Sequence, residues 1–337
     1  MKIKIILLLF FLPLRVLSQS FLFIDIEVSP RIEAMGGVGI AIVDKDVSLA
    51  QTTPSLLNDK MHNYLVFSFT DYFSDINLIS FSYAREWKGL GVFSIGIKAI
   101  NYGEFESTDA SENYLGSFSA HEQVITLGLG KKMNEKFTLG ANLNILNSQL
   151  EIYHSFALSS NVSLTYFNPK NKFTSTLLFK NIGRQLISYT NTKESLPYDV
   201  QLGMSKELKY LPFRYSLTFH HLNKFDIKSN YKLRTETNID TGELEIKDES
   251  VAKTAIRHLI IGGELNPFRK SLFVRGGFNF QRRFNMSLTT YPAMVGFSWG
   301  IGFKVSKFCL DYSRASYHLS GVPNNFSFTT NLSTFGF

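Results

Sequence analysis

The residues best equipped for chemistry in this 337-residue chain are seven histidines and a single cysteine. A hydrolase at a rim would need a serine, a histidine and an acid within mutual reach, and the nearest approach to that is His154 beside Ser155. His220 and His221 are adjacent, but they end a segment that alternates like a β-strand. Neighbours there point to opposite faces and do not jointly grip one metal ion. His62, His121, His258 and His318 stand alone and read as solvated or inward-facing polar positions. Cys309 takes the polar parity beside Asp311 and has no basic neighbour to generate a thiolate, so it reads as an unreactive thiol. One thiol also excludes a disulfide framework and a four-cysteine zinc site. Gly36-Gly37-Val38-Gly39 has the glycine density of a phosphate loop without the strand-to-helix βαβ context that such a loop requires. These patterns lead to the expectation of a non-catalytic protein without a metal or cofactor.

The elements that carry these side chains have a period of two. Phe93, Ile95 and Ile97 share one face while Ser94, Gly96 and Lys98 share the other. Phe137, Leu139, Ala141, Leu143 and Ile145 stand opposite Thr138, Gly140, Asn142 and Asn144 in the same way. A chain that is 44% hydrophobic with 31 Phe and 15 Tyr is no disordered polymer. Its +7 charge does not signal nucleic-acid binding, because Lys and Arg are scattered between aromatic runs.

Alternation alone fits a soluble sandwich as well as a membrane barrel, and the connections decide between them. Short ones at 85–89, 131–136, 168–172, 206–212, 266–270 and 304–307 alternate with long ones at 104–120, 147–155, 184–197, 223–256 and 281–293. That is the arrangement of outer-membrane barrels. Aromatics gather where strands would meet the interfaces, as in Tyr83 with Trp87, Tyr102 with Phe105, and Tyr210 with Phe213. One strand near 64–70, six pairs and a last strand ending at Phe337 make a 14-stranded antiparallel transmembrane β-barrel, an all-β fold, over 61–337. An even count places both ends of the chain on the short-turn side. Closing the sheet pairs every strand edge, which lets such a chain be stable without disulfides.

Lys2 and Lys4 precede an apolar run from Ile5 to Leu14, and Val16-Leu17-Ser18 has small residues at a cleavage position. This is the layout of a signal peptide over 1–18, too short in its apolar part to span a bilayer. Residues 19–60 lack sustained alternation, and fourteen strands enclose more room than their side chains fill. The segment is therefore expected to fold inward as a plug. The 223–256 connection carries charges of both signs and is far longer than two strands require; it reads as a solvated loop or a partner-docking surface.

Ser29, Arg31, Ala34, Met35, Gly36 and Gly37, with Asp44-Lys45-Asp46 and Pro54-Ser55-Leu56-Leu57, resemble the N-terminal region of the Bacteroidetes branch of FadL-like barrels. Asn101-Tyr102-Gly103, Asn181 with Gly183, and Leu196-Pro197-Tyr198-Asp199 through Gly203 resemble more selectively the PorQ family of the type IX secretion system. The resemblance covers about residues 29–222, and Phe337 resembles the terminal aromatic signal for barrel assembly. It implies an outer-membrane protein of a Bacteroidetes-type Gram-negative bacterium. Its partners would be outer-membrane lipid and the attachment-complex proteins PorU, PorV and PorZ, which anchor secreted cargo. A FadL-like transporter of a hydrophobic small molecule is the alternative. No nucleic acid is implied.

Overall fold

A computed structural model of the chain describes residues 19–227, 235–237, 244–246, 250–268, 271–287, 294–317 and 321–336. The leader at 1–18, the assembly signal at Phe337 and His318 lie outside the described residues.

Fourteen antiparallel strands form one closed barrel. In chain order they are β1 (Tyr64–Asp71), β2 (Asn77–Trp87), β3 (Gly91–Thr108), β4 (Tyr114–Lys132), β5 (Phe137–Leu150), β6 (Tyr153–Asn168), β7 (Phe173–Ile187), β8 (Asp199–Glu207) and β9 (Phe213–Phe219). Strands β10 (Thr235–Thr237) and β11 (Leu244–Ile246) pair with each other outside the barrel, in the connection to β12 (Leu259–Leu265). The wall continues with β13 (Leu272–Asn279), β14 (Phe297–Val305), β15 (Phe308–Ala315) and β16 (Asn324–Asn331), and β16 closes on β1 from Tyr64↔Asn331 to Asp71↔Asn324. Each of the fourteen wall strands thus has two ladder partners and the wall has no open edge.

The two faces have the polarity of a barrel immersed in lipid. On β5, Phe137, Leu139 and Leu143 are exposed while Asn142, Asn144 and Ser148 are buried. Phe67, Ile79, Phe81, Ile95, Ile97, Ile125, Leu127 and Leu129 continue the apolar exterior, and Ser68, Thr70, Ser80, Ser82 and Thr126 the polar interior. A water-soluble sheet has the reverse sidedness. No helix among the described residues is long and apolar enough to cross a membrane.

Several boundaries differ from the sequence expectation. The supposed long connections at 104–120 and 147–155 are largely ladder. Strands β3 and β4 stay paired out to Thr108↔Tyr114, and β5 and β6 to Leu150↔Tyr153. Polar side chains hid these extensions, because a ladder that rises beyond the apolar belt has no need to alternate. Strand β16 stops at Asn331, whose side chain accepts from Ser333 N–H and caps a 3-10 turn, Leu332–Phe335. The last strand therefore ends before the expected Phe337. Long connections remain at 188–198, 220–258 and 280–296; the last two contain helices α3 (Val251–Arg257) and α4 (Phe280–Met286).

Residues 19–63 run inside this wall through helices α1 (Pro30–Ala34) and α2 (Ser48–Thr52) and short 3-10 turns. The segment begins at the long-connection end, where Gln19 bridges Ser195 and Ser20 N–H donates to Ser195 O at 3.1 Å. It finishes at the short-turn end, where Tyr64 opens β1. The even strand count placed both ends of the chain on the short-turn side; that holds for β1 and β16, but the inner segment carries Gln19 to the opposite rim.

Candidate functional site

Among the described residues, many charged side chains converge in the interior with those of the 29–37 motif. Helix α1 is too short to be stable alone and is held by what it touches. Arg31 projects from it into a ring of acids: Nη2 lies 2.5 Å from Asp44 Oδ2 and 2.9 Å from Glu264 Oε1, and Nη1 lies 3.4 Å from Asp46 Oδ2. Two wall arginines share these partners. Arg214 Nη1 is 3.0 Å from Glu264 Oε1, and Arg275 reaches Glu264 at 2.8 Å and Asp311 at 2.5 Å. Burial pushes the Asp44 carboxyl up, but Arg31 and Arg214 outweigh it and hold it well below the usual carboxylate range. Buried charges persist only when so paired.

A second clamp lies on the other side of α1. Arg282, from α4, meets Glu33 Oε1 at 2.5 Å and covers the Tyr317 ring at 4.1 Å. Lys98 donates to the carbonyls of Ile24 and Ile26 at 2.8 and 3.0 Å, and Lys180 pairs with Asp25 at 2.7 Å. Glu27 accepts from Val28 and Ser29 N–H, yet burial pushes its carboxyl up to about 7 against those bonds and the Lys98 charge.

Backbone contact with the wall needs glycine. A Cβ at Gly140 would lie 2.2 Å from Pro54 C and Ser55 N, and one at Gly277 would lie 2.2 Å from Gly36 N and Met35 C. Gly36, at φ +101, donates N–H to Ser298 Oγ at 3.0 Å and accepts from Asn279 Nδ2 at 3.2 Å. Gly37, at φ +86, lies against Arg282. Ala34 packs on Gly300, Ile40 packs on Gly203, and Ser29 Oγ accepts from Ser48 Oγ at 3.0 Å. The motif at 29–37 is therefore gathered on the wall formed by β12 to β15. It is an anchoring surface, and no strand precedes it in the manner of a phosphate loop.

The wall motifs have local structural roles. Gly103, at φ +89, sits in the register shift between β3 and β4, and its N–H donates to Asn101 Oδ1. Tyr102 turns inward, donating to Glu122 Oε2 at 2.5 Å, so it is not part of an interfacial belt. Asn181, at φ +58, bonds Asp25 and the Pro197 carbonyl, and a Cβ on Gly183 would strike Leu158 O at 2.1 Å. Leu196 is buried with Phe21, Phe23, Val28, Leu78, Ile100 and Leu146 in an apolar cluster toward the long-connection end.

Two histidine expectations are corrected. Strand β9 ends at Phe219 and His221 takes φ +55, so alternation no longer separates His220 from His221; their Nδ1 atoms lie 2.5 Å apart. His258 is not isolated. Its ring lies 6.3 Å from that of His220, and its Nδ1 lies 2.7 Å from His220 O. His154 Nε2 instead meets Asn147 Oδ1 at 2.6 Å, and Ser155 Oγ donates to Ile187 O, so the pair does not assemble as nucleophile and base. Cys309 Sγ lies 3.6 Å from Asp311 Oδ2 beside the arginine cluster.

Between segment and wall lie two cavities. One of about 330 Å³, toward the long-connection end, is lined by Glu27, Lys98, Lys180, Asp199, Gln201 and His220 among others. The other, about 960 Å³ and toward the short turns, includes Arg31, Asp44, Arg214, Glu264, Arg275 and Cys309 in its lining. Both linings are mixed: charged groups stand beside Ile24, Ile26 and Ile40 in the first and beside Phe213, Phe273 and Phe308 in the second.

No family model matches the sequence, and no curated protein matches it. Solved structures do match. The toluene transporter TodX of Pseudomonas putida superposes with a TM-score of 0.53 at 13% identity, over 93% of this chain and 98% of that one. A FadL homologue of Pseudomonas aeruginosa gives 0.50 at 12% identity, over 90% and 98%. The barrel fold is the one shared by these FadL-type structures. Within this FadL-type fold, sequence reasoning missed the apolar cluster around Phe21 and Phe23, because those aromatics lie just outside any periodic element. It also missed Asn142 and Asn161, whose side-chain amides donate to Gln51 O and Thr52 O and so cap the C-terminus of α2 from the wall.

Proposed function

We propose that this protein is a non-catalytic outer-membrane barrel, closed by residues 19–60 as a plug, that serves as a docking platform for a type IX attachment complex. The observation that carries this reading is the filling of the inner apolar recess. Phe21 and Phe23, each 2% exposed, occupy the space among Leu78, Ile100, Val124 and Leu146 where a hydrophobic solute would be expected to lie. Arg214 and Lys98, which face the remaining cavities, pair with Asp44 and with the Ile24 and Ile26 carbonyls of the inner segment, which suits a braced plug. The resemblance of 29–37, 101–103 and 196–203 to PorQ-type barrels supplies the partner class: exported attachment proteins of the PorU, PorV and PorZ kinds, held at the surface of a Bacteroidetes-type cell.

The second reading, transport of a hydrophobic small molecule, is favoured by the fold shared with the toluene transporter and the FadL homologue. The two readings separate in one experiment. The tagged protein is captured from native outer membrane, and co-purifying proteins and lipids are identified by mass spectrometry. The platform reading expects exported proteins in stoichiometric amount. Capture of the barrel with a bound apolar small molecule and no protein partner would replace it with the transporter.

A further inference from the structure

We propose that Asp199, His220 and His221 form a binding site for a divalent transition-metal ion of the zinc class. Asp199 opens β8 and His220 follows the end of β9, so the paired strands bring them to one rim. One ligand atom from each of the three residues lies within 4.8 Å of the others. His221 Nδ1 is 3.7 Å from Asp199 Oδ2, and His221 N–H donates to Asp199 Oδ1 at 2.7 Å, which fixes the carboxylate toward the rings. The imidazoles meet edge to face at 78°, with Nδ1 opposing Nδ1. Without an ion, one ring must donate a proton to the other.

A second observation concerns unmet polar capacity beside these three groups. Among the described residues, His220 Nε2 and Gln201 Oε1 are buried without a hydrogen-bond partner, at 3% and 4% residue exposure, and both residues line the 330 Å³ cavity with Asp199 and His221. Gln201 Nε2 already donates to Asp199 Oδ2 at 2.6 Å, as an outer partner of a ligating carboxylate does. The cations that line the same cavity have partners of their own: Lys180 pairs with Asp25, Lys98 donates to the carbonyls of Ile24 and Ile26, and Arg282 pairs with Glu33.

Two imidazoles and one carboxylate are a zinc-type donor set, with bonds of about 2.0–2.2 Å. Tetrahedral ligation separates donor atoms by ~3.3 Å at those bond lengths. The rings would part by less than about 1 Å from their present contact, which the half-exposed His221 side chain permits. The site stands at the foot of the 220–258 connection. There His220 N–H donates to His258 O at 3.0 Å, and His258 Nε2 lies 3.0 Å from Phe225 O. A bound ion would brace the root of that connection.

The full-length protein, purified in detergent with a histidine-free tag and stripped with EDTA, is titrated with Co²⁺ followed by visible absorption, then with Zn²⁺ in competition. One equivalent should bind with tetrahedral ligand-field bands and be displaced by Zn²⁺. His221→Gln should weaken binding at least tenfold, whereas His154→Gln should leave it unchanged. In the wild type, Zn²⁺ should also shield His221 from diethyl pyrocarbonate while His154 still reacts, a readout that needs no variant to fold. Absence of stoichiometric uptake, unchanged affinity in His221→Gln, loss of uptake in His154→Gln, or equal modification of His221 with and without Zn²⁺ would each overturn the site.

Discussion

At the scale of single residues, the inner segment is held by contacts that tolerate no added volume. The 2.2 Å approaches at Gly140 and Gly277 are to backbone atoms, which cannot rotate away as a side chain can. Gly140→Val with Gly277→Val should therefore displace the segment while the wall ladder persists. Higher single-channel conductance in planar bilayers, with an unchanged heat-shift on gels, is the expected result. Glu27 makes docking pH-dependent. Its carboxyl titrates near 7 when docked, against 4.5 for the free group, because burial disfavours its charge. The docked segment then binds the extra proton between those values. The contribution is fully present below 4.5, declines as pH rises toward 7 and is lost above it. Hydrogen-exchange protection factors over residues 21–28, corrected for base-catalysed intrinsic exchange, should be lower at pH 8 than at pH 5, and Glu27→Gln should flatten that difference. Equal protection factors at the two pH values in the wild type would refute the assignment.

At the scale of elements, the long connections differ in what they are attached to. The 188–198 connection holds Gln19 and Ser20 and buries Leu196, so it belongs to the closure of the barrel. The 220–258 connection is pinned at its root by His220 and His258 and includes a two-stranded hairpin that stands apart from the wall. Shortening it between Ile227 and Ser250 keeps those roots. The barrel should still assemble and show its heat-shift, while retention of secreted cargo at the cell surface falls and uptake of a hydrophobic substrate is unaffected. Normal cargo attachment with reduced uptake would favour the transporter.

At the scale of the whole molecule, stability comes from closure and from an exterior matched to lipid. Leu143 sits in the middle of β5 and faces outward, 44% exposed. Replacing it by Arg should destabilise the barrel in liposomes by roughly 2–4 kcal/mol, the cost of a charge near the bilayer midplane. The same change on a water-facing strand of a soluble sandwich would be close to neutral. Urea unfolding in liposomes measures the difference, and a neutral Leu143→Arg would contradict the lipid-facing assignment.

The period of two and the alternation of short and long connections were sufficient to determine the all-β class, the strand count and the parity of residues such as Leu143 and Asn144. Side-chain alternation is a local property of each strand, so a sequence carries it directly. The inward fate of residues 19–60 was legible only as an excess of chain before the first strand. That Arg31 meets Glu264, that Gly277 admits Met35, and that Phe21 lies among Leu78 and Leu146 were decided by closure of the barrel, which brings together residues far apart in the chain. The histidines show the same limit in miniature. Strand alternation separates His220 from His221 on paper, but the ladder ends one residue earlier and a left-handed backbone at His221 turns its ring back toward its neighbour. Periodicity describes a strand while it lasts; where it ends, tertiary hydrogen bonds such as His221 N–H to Asp199 decide the direction of the chain.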